Sequence, residues 1–382
     1  MAQRRAFAVP SNPSLLLAAA VFLLLLAPAP VFALLNVDGT RNQIFVFGDL
    51  QLGYDSNIFA QEGGASDFIT TGTVGVEWKR HAGVIAIDSK ASLSYQHYDK
   101  FTQGNGWNPS FSVEFDKTTG RTTGALTVGA TRSQRTDTTV NLLTTSWNIP
   151  VDLNVKYPIN QRYYFTSDTG YLRRDYLNNP ALSNYDEYNE GVDVFYIYTS
   201  KLDLLGGYRV RFSHSDAGRA TDQNVTFGAT GGLLPKLSGI VRAGFQNRRL
   251  ENSATYNQLS LSGQLLWTAT RNFSLTGSAS RDFNTTAIAG SVDSLSGRLD
   301  GTYIFTRRFQ VLSGLGGGRN LFLNGIEAHR RDEFFTWDVG ATYSWGEHLK
   351  ITATYTYLRN WSNSSVAQFD RNGFSIDISS RY

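Results

Sequence analysis

The sequence predicts an all-β protein, a closed antiparallel transmembrane β-barrel of about 18 strands, with about 16 strands as the alternative count. Apolar and polar residues alternate with period two in segments that recur from near Ile44 to Tyr382. Short and longer connectors alternate between these segments, and an apolar run near the N-terminus has the form of an export signal. Period two gives a strand one apolar and one polar face, and a sheet in lipid must close to satisfy its edges.

Residues 1–33 have the three parts of a cleaved secretory signal peptide. Arg4-Arg5 supplies a positive start, and an unbroken apolar run extends from Leu15 to Ala27. Val31-Phe32-Ala33 then places small residues before a cleavage site that we expect after Ala33. An uncleaved anchor helix is the alternative, but a membrane span needs ~20 apolar residues and this run is shorter.

The remaining chain divides into a short periplasmic lead, residues 34–43, and the predicted barrel, residues 44–382. In the clearest strands, Trp337–Trp345 and Leu349–Tyr357, every second residue is apolar. We expect tight turns at 79–81, 119–121, 158–160, 199–201, 234–236, 270–272, 306–308 and 346–348. We expect longer loops, rich in Asn, Asp, Gly and Ser, near 55–67, 99–106, 133–144, 175–185, 214–222, 247–256, 283–292, 322–333 and 360–371.

This connector pattern predicts how the barrel sits in a membrane. An even strand number puts both mature termini on the side of the short turns. Short turns are periplasmic in bacterial outer-membrane barrels, so both mature termini should be periplasmic. None of the loops is long enough to suggest a plug that folds deep inward.

Tryptophan placement favours the membrane barrel over a secreted β-sandwich or β-helix. Membrane proteins carry aromatic residues at both interfaces. The tryptophans that adjoin short turns are Trp78, Trp267 and Trp345, and those that adjoin longer loops are Trp107, Trp147, Trp337 and Trp361.

Composition excludes several classes of function. The formal net charge is +3, with 35 basic and 32 acidic residues, which gives no reason to expect nucleic-acid binding. The chain has no Cys, and its 5 His have no spacing typical of a metal site, so we predict no cofactor and no metal. His214-Ser215-Asp216 juxtaposes three catalytic residue types, but adjacent residues point in different directions, so a triad would need partners from other strands. We interpret this segment as a solvated loop and predict no enzyme activity.

The polar faces of the strands predict a charged lumen. Nine charged residues at mid-depth are expected to line the pore: Lys90, Asp152, Asp168, Asp193, Arg209, Arg211, Arg242, Arg298 and Asp300. One interpretation is a transverse field that filters solutes in a water-filled channel. The other is a set of wall salt bridges, for instance between Asp193 and Arg209 or Arg211, and the sequence leaves both open.

The octapeptide Leu52-Gly53-Tyr54-Asp55-Ser56-Asn57-Ile58-Phe59, at the end of the first barrel strand, is the most distinctive string. With the signal peptide and the barrel pattern, it makes the chain resemble the putative β-barrel porin 2 family. The resemblance implies an outer-membrane barrel that often accompanies exopolysaccharide biosynthesis and export genes. It implies no catalytic residues.

These observations predict a porin-like channel of the Gram-negative outer membrane for passive or semi-selective passage of polar solutes, with a link to exopolysaccharide export. The alternative is a non-conducting barrel with an adhesive or scaffolding role through its outer loops. Expected partners are outer-membrane lipid and lipopolysaccharide, and polysaccharide-export proteins. The last strand alternates Phe374, Ile376 and Ile378 before a terminal Tyr382, which resembles the signal read by the barrel assembly machinery.

Overall fold

The computed structural model describes residues 35–37, 42–177, 179–216, 218–251, 254–288 and 290–382. The predicted signal peptide, residues 1–33, lies outside the described residues. Within the described ranges, no helix is long and apolar enough to cross a membrane. Two short 3₁₀ turns, Thr102–Gly104 and Ser365–Ala367, lie in connections between strands.

The described residues form nineteen β-strands. They are β1 (Leu35–Val37), β2 (Asn42–Asp55), β3 (Asp67–Ala82), β4 (Ile85–Tyr98), β5 (Gly106–Lys117), β6 (Thr123–Asp137), β7 (Leu142–Pro158), β8 (Tyr163–Leu177), β9 (Tyr185–Ile197), β10 (Leu202–Ser215), β11 (Gly218–Leu234), β12 (Leu237–Leu250), β13 (Thr255–Thr268), β14 (Phe273–Thr285), β15 (Ser291–Ile304), β16 (Phe309–Phe322), β17 (Arg331–Trp345), β18 (Leu349–Ser362) and β19 (Phe369–Arg381).

Strands β2 to β19 close into one antiparallel barrel of 18 strands, as the sequence predicts. Each strand pairs with its neighbour in the chain, and β19 pairs with β2, where Ile376 lies opposite Leu52. The last residue also belongs to the sheet, because the Tyr382 amide donates to the Val46 carbonyl at 2.9 Å. The short strand β1 pairs with the first three residues of β2. The barrel therefore begins at Asn42 and leaves no open edge between its first and last strands.

The two faces of the sheet differ as period two requires. On β9, Val192 and Val194 are exposed on the outer face, whereas Asp193 between them is buried. Asp193 receives a hydrogen bond from Arg242 on β12, three strands away, which is a contact that only the concave inner face allows. The outer face is thus the apolar one and the charged residues point inward.

Some connectors differ from the expectation. The predicted turn at 79–81 is wrong: those residues end β3, and the turn follows at Gly83-Val84, where Gly83 has a φ of 78°. The loop expected at 133–144 shrinks to 138–141, and most of the one expected at 214–222 is strand, because β10 runs to Ser215 and β11 begins at Gly218. Trp337 lies in mid-strand opposite Leu315, not beside a loop.

Two hairpins leave the barrel wall near its looped end. Pairing between β5 and β6 stops at Ser110 opposite Thr131, although β6 continues to Asp137. Pairing between β13 and β14 stops at Leu261 opposite Arg281, although β14 continues to Thr285. We call residues 132–147 the β6–β7 tip and residues 282–294 the β14–β15 tip. Each tip has lost its wall partner on one side and turns toward the barrel interior.

Candidate functional site: the barrel interior and its looped mouth

The β6–β7 tip reaches across the looped mouth. Arg330 lies in the loop between β16 and β17, and its two Nη atoms donate to the Thr139 carbonyl at 3.0 Å and the Thr138 carbonyl at 3.3 Å. Around the ring, β7 and β16 are nine strand steps apart, and β6 and β17 are seven steps apart. Loops on opposite sides of a ring meet only over its opening, so this contact spans the mouth.

Arg330 is itself fixed by its neighbours. Its guanidinium forms a bidentate pair with Asp332, with nitrogen–oxygen distances of 3.0 and 2.7 Å, and lies 4.6 Å from the centre of the Phe322 ring. Both partners of the ion pair are almost fully buried. A bidentate arginine–carboxylate pair has a defined geometry, so Arg330 presents its remaining donors to the tip from a fixed position.

The opposite side of the β6–β7 tip rests on the loop at residues 56–66. The Thr136 hydroxyl donates to the Ile58 carbonyl at 2.6 Å, and the Asn141 side-chain amide donates to the Ala60 carbonyl. Ile58 and Ala60 are buried although they lie in a loop between strands. The tip is therefore held from two sides of the ring.

The β14–β15 tip is anchored to arginines that project from the inner wall. Arg211 on β10 donates to the Asp282 carboxylate at 3.0 Å and to the Phe283 carbonyl. Arg248 on β12 donates to the Asn284 carbonyl at 2.9 Å. Hydrogen bonds from an ionised donor are stronger than neutral ones. Three consecutive residues of the tip are thus bound by two arginines, four and two strands away.

Asp222 on β11 holds both anchoring arginines. Its oxygens accept from Arg248 at 2.6 and 2.8 Å and from Arg211 at 2.7 Å. Arg248 is fully buried and lies 5.3 Å from the Phe283 ring centre. A buried guanidinium is stable only when it is paired and its donors are satisfied. Asp222 and the tip carbonyls together meet this requirement.

A cavity of about 470 Å³ lies where the two tips approach each other. Its lining includes Arg135 and Thr138 of one tip and Asn284 of the other, with Tyr176 and Tyr185 from the wall. In addition, the Ser183 amide donates to the Ala287 carbonyl at 2.7 Å, which ties the loop after β8 to the β14–β15 tip. The expectation that no connection folds inward is therefore wrong for these two hairpins.

Three of the nine predicted pore residues form one cluster below the tips. Asp193 accepts from Arg209 at 3.2 Å and from Arg242 at 2.8 Å. Glycines make room for it: a Cβ on Gly207 would lie 1.8 Å from an Asp193 oxygen, and one on Gly191 would lie 2.9 Å from Nε of Arg209. The absence of side chains at these two glycines leaves the space that Asp193 and Arg209 occupy on the inner face.

Arg211 does not join Asp193; it pairs with Asp222 and Asp282 instead. Arg298 forms a separate group, 2.7 Å from Asp300 and 2.5 Å from Asp338 two strands away. It reaches Asp338 because Gly314, between the two strands, has no side chain; a Cβ there would lie 2.1 Å from an Arg298 Nη atom.

The three remaining predicted residues also lie on the inner face, and only Asp168 approaches one of these groups. Lys90 stacks over the Phe47 ring at 4.6 Å, and Asp168 lies 3.9 Å from Arg209. Asp152 is exposed and opposite Gly170 in the register. The wall salt bridges therefore exist, and Lys90, Asp152 and Asp168 leave charge exposed in the interior beside them.

Sequence reasoning missed the residues that hold the tips. They are Asp222, Arg248, Asp282 and Arg330. Each lies in or beside a stretch where polar residues occupy both faces, which resembles an ordinary solvated loop. The loss of period two at 132–137 and 282–285, within long strands, is the one local signal that marks the tips.

Three aromatic residues on the inner face, Tyr98, Tyr164 and Phe195, are the candidates for stacking on a sugar. Tyr164 and Phe195 stack at 4.5 Å near the short-turn end, and Lys156 covers the Tyr164 ring at 4.1 Å. Tyr98 is almost fully buried near the looped end. No free aromatic path results among these three. In the described part of the chain, no group of three or more His, Asp or Glu residues is placed to hold a metal ion.

Comparison with known proteins agrees with this geometry. The C-terminal part of the chain, residues 220–382, matches the family model described as "Putative beta-barrel porin 2". Over that part the chain is similar to this family, and its fold is the closed 18-strand β-barrel described above. The resemblance drawn from the sequence is thereby confirmed, although the match does not include the octapeptide on which it rested. A comparison with curated proteins gives no significant match.

Solved structures with the same architecture include three porins of similar length. Pseudomonas aeruginosa OccK5 (OpdH) aligns with a TM-score of 0.50 and 11% identity over 89% of this chain and 98% of its own. Pseudomonas aeruginosa OpdO has a TM-score of 0.51 and 12% identity over 90% and 97%. Acinetobacter baumannii OccAB2 has a TM-score of 0.52 and 10% identity over 89% and 98%. At such low identity the likeness concerns the fold.

The octapeptide has a structural role in this barrel. Arg371 on β19 donates to both oxygens of Asp55, and the Asn57 amide donates to the same carboxylate at 2.9 Å. The Asn57 side chain in turn donates to the Gln61 carbonyl at 2.8 Å. These bonds shape the start of the 56–66 loop, which supports the β6–β7 tip.

Proposed function

We propose that this protein is an outer-membrane channel for small polar solutes, narrowed at its outer mouth by the two hairpin tips. The observation that carries the proposal is the polar, charge-lined interior of an 18-strand barrel whose outer face is apolar. Barrels of this strand number are wide enough for an aqueous channel unless something fills them. The two tips are the elements that narrow this one.

The exposed charges support semi-selective passage. Asp168 and Arg209 are each about two-fifths exposed in the interior, at 43% and 38%. They are available to solutes, whereas the carboxylates of Asp193 and Asp222 are buried in contacts with arginines of the wall. Oppositely charged groups on one wall favour small dipolar or charged solutes. Among the structures with this fold, that of OpdK contains vanillate, a small organic acid.

Small solutes are favoured over a polymer by the contact between Arg330 and the β6–β7 tip, because a polysaccharide would have to displace it. The link to exopolysaccharide export, which the family resemblance suggests, therefore requires the tips to move and a separate export partner. We infer that the two tips act as the gate for such export.

Planar-bilayer recording of the purified protein tests the proposal. We expect discrete conductance steps, and larger or longer openings when Arg330 is replaced by Met. The contacts of the β6–β7 tip across the mouth favour a second candidate, a non-conducting barrel whose outer loops adhere or act as a scaffold. Silence of both the wild type and R330M, with correctly folded protein, would overturn the channel proposal and leave the second candidate.

We also propose that the looped end faces outward and that both mature termini are periplasmic. The short turns and the C-terminal Tyr382 lie at one end of the barrel, and the tips lie at the other. The chain has no Cys, so a single introduced cysteine can report on one end of the barrel. Ser364 lies at the looped end and Thr118 in a short turn at the other end. We expect a membrane-impermeant maleimide to label S364C and not T118C in intact cells. The reverse labelling would refute the orientation.

Three partners belong to the same proposal. Lipid and lipopolysaccharide would contact the apolar outer face, and the barrel assembly machinery would read the strand that ends in Tyr382. Because Tyr382 pairs with Val46, removal of the last residue takes two hydrogen bonds from the closing seam. We expect a Tyr382 deletion to reduce assembled barrel in the outer membrane, and unchanged assembly would exclude this role.

A further inference from the structure

The cavity of about 470 Å³ between the two tips has more positive than negative charge in its lining. Arg135 of the β6–β7 tip and Arg174 of β8 both line it, and Asp137 is the one carboxylate among its lining residues in the described chain. The Asp137 Oδ1 atom already accepts from the amide and the hydroxyl of Thr139, at 2.9 and 2.6 Å. Neither arginine forms an ion pair with a described residue. The cavity therefore favours an anion.

The arginines that anchor the tips differ from Arg174 in this respect. Arg248 pairs with Asp222, and Arg330 pairs with Asp332. Arg174 is half-buried and has no carboxylate partner within the described ranges. A guanidinium that is partly removed from water is stabilised by a paired anion. A ligand with a carboxylate would supply that charge.

Both arginines of the cavity have donors to offer. Nε of Arg174 donates to the Asn148 side-chain oxygen at 2.5 Å, and the guanidinium lies 5.2 Å from the centre of the Tyr185 ring and bonds the Tyr176 hydroxyl. These contacts fix its position but do not use all of its five N–H donors. Arg135 is exposed, and its side chain makes no hydrogen bond to a described residue.

The rest of the lining is rich in hydroxyl groups. They belong to Thr136, Thr138, Thr139, Thr285, Thr286 and Ser294. The Thr285 Oγ1 atom is buried and has no hydrogen-bond partner among the described residues. Buried polar atoms are nearly always partnered, so this hydroxyl suits a ligand that completes it. Hydroxyls both donate and accept, which matches the hydroxyls of a sugar.

We propose that this cavity binds a small hydroxylated carboxylate of the sugar-acid type, which joins the two tips. Arg135 belongs to one tip, Thr285 to the other, and Arg174 to the wall. A ligand that contacts all three keeps the tips docked. Small-molecule sites usually measure about 300–1,000 Å³, and this cavity lies within that range. The site goes beyond the proposed channel function, because binding is measured without conduction and a silent barrel could still bind.

Isothermal titration calorimetry of the full barrel, purified in detergent, tests the site with sodium D-glucuronate as the probe. D-Glucose and acetate are the matched controls, because glucose lacks the carboxylate and acetate lacks the hydroxyls. All three are titrated at equal ionic strength. We expect glucuronate to bind roughly tenfold more tightly than either control, since it alone offers both kinds of contact. Equal affinity for glucuronate and glucose, or no binding of glucuronate, would overturn the proposal.

Two substitutions separate ligand contact from folding. Arg135→Gln removes an exposed charge from the cavity, and Lys90→Gln removes one from the inner face elsewhere. We expect R135Q to weaken glucuronate binding roughly tenfold and K90Q to leave it unchanged. Thr285→Val deletes the unpartnered hydroxyl, so it should weaken binding several-fold while stability in urea stays the same or rises. Wild-type affinity in both R135Q and T285V refutes the assigned contacts.

A single thiol tests whether the ligand joins the tips. The chain has no Cys, and Val140 is half-buried at the end of the β6–β7 tip. We expect saturating glucuronate, and not glucose, to slow maleimide labelling of V140C, because a docked tip exposes this position less often. The slowing should disappear when R135Q is added to V140C. An unchanged labelling rate with glucuronate bound shows that the ligand does not hold the tips together.

Discussion

Replacing Arg248 by Met should release the β14–β15 tip while the barrel stays assembled. The substitution deletes the 2.9 Å hydrogen bond to the Asn284 carbonyl and the bidentate pair with Asp222. Methionine fills similar space without a charge, so no cavity is opened. Arg211 still binds both Asp222 and the tip, which keeps the remaining carboxylate paired.

The magnitude follows from these contacts. A hydrogen bond from a charged donor contributes about 1.5–3 kcal/mol, and about 1.4 kcal/mol is a factor of ten in an equilibrium. The ratio of docked to released tip should therefore fall by roughly 10- to 100-fold. Losing one partner of a buried pair costs ~3–5 kcal/mol. Because Asp222 keeps Arg211, the loss of unfolding free energy should lie near the lower value.

The assay is single-channel recording together with urea unfolding of the same preparation in liposomes. Open time or conductance of R248M should exceed that of the wild type. Arg249→Met is the matched control, since Arg249 is the next residue on β12 and points to the outer face, where it is exposed. If R248M folds and conducts like R249M, then Arg248 does not hold the tip, or the tip does not limit conduction.

Three further substitutions probe other parts of the interior. Arg330→Met should increase conductance by freeing the β6–β7 tip, and proteolysis at 138–141 should become faster; unchanged rates of both count against the contact across the mouth. Arg209→Gln should shift the reversal potential in a salt gradient toward cation selectivity, because it removes an exposed cation beside two carboxylates; no shift means that this charge does not act on permeating ions. Gly314→Ala places a Cβ 2.1 Å from Arg298 and should lower the unfolding free energy by about 1 kcal/mol in urea titrations. Gly72→Ala, where a Cβ meets nothing within 4 Å, is its control and should be neutral.

Much of the barrel could be predicted because lipid imposes a strict local rule. Every strand must present an apolar face to lipid. Because side chains alternate between the two faces, this requirement places an apolar residue at every second position of each strand. The error at residues 79–81 has a local cause. The end of β3 is polar on both faces at Lys79, Arg80 and His81, and three consecutive polar residues resemble a turn. The actual turn follows at Gly83.

The tips could not be predicted for the complementary reason. Once a hairpin leaves the wall, neither of its faces meets lipid, so the alternation disappears and the segment reads as a loop. What then fixes its place is contact with residues far away in the chain, such as Arg211 with Asp282 or Arg330 with Thr139. No local pattern encodes which strands lie opposite each other.

The contacts of the interior confirm the wall salt bridges, and the field across the lumen stays a prediction. Asp193 lies between two arginines and is almost fully buried, so its charge is largely cancelled and its role is to fix the wall. A field in the lumen must therefore come from charges that keep exposure, such as Asp152 and Asp168, and not from the count of ionisable residues. Since the arginines that bind Asp222 also bind the β14–β15 tip, the interior charge and the width of the mouth are coupled. A change that weakens the pairs with Asp222 should alter selectivity and opening together, whereas one confined to Asp152 should alter selectivity alone.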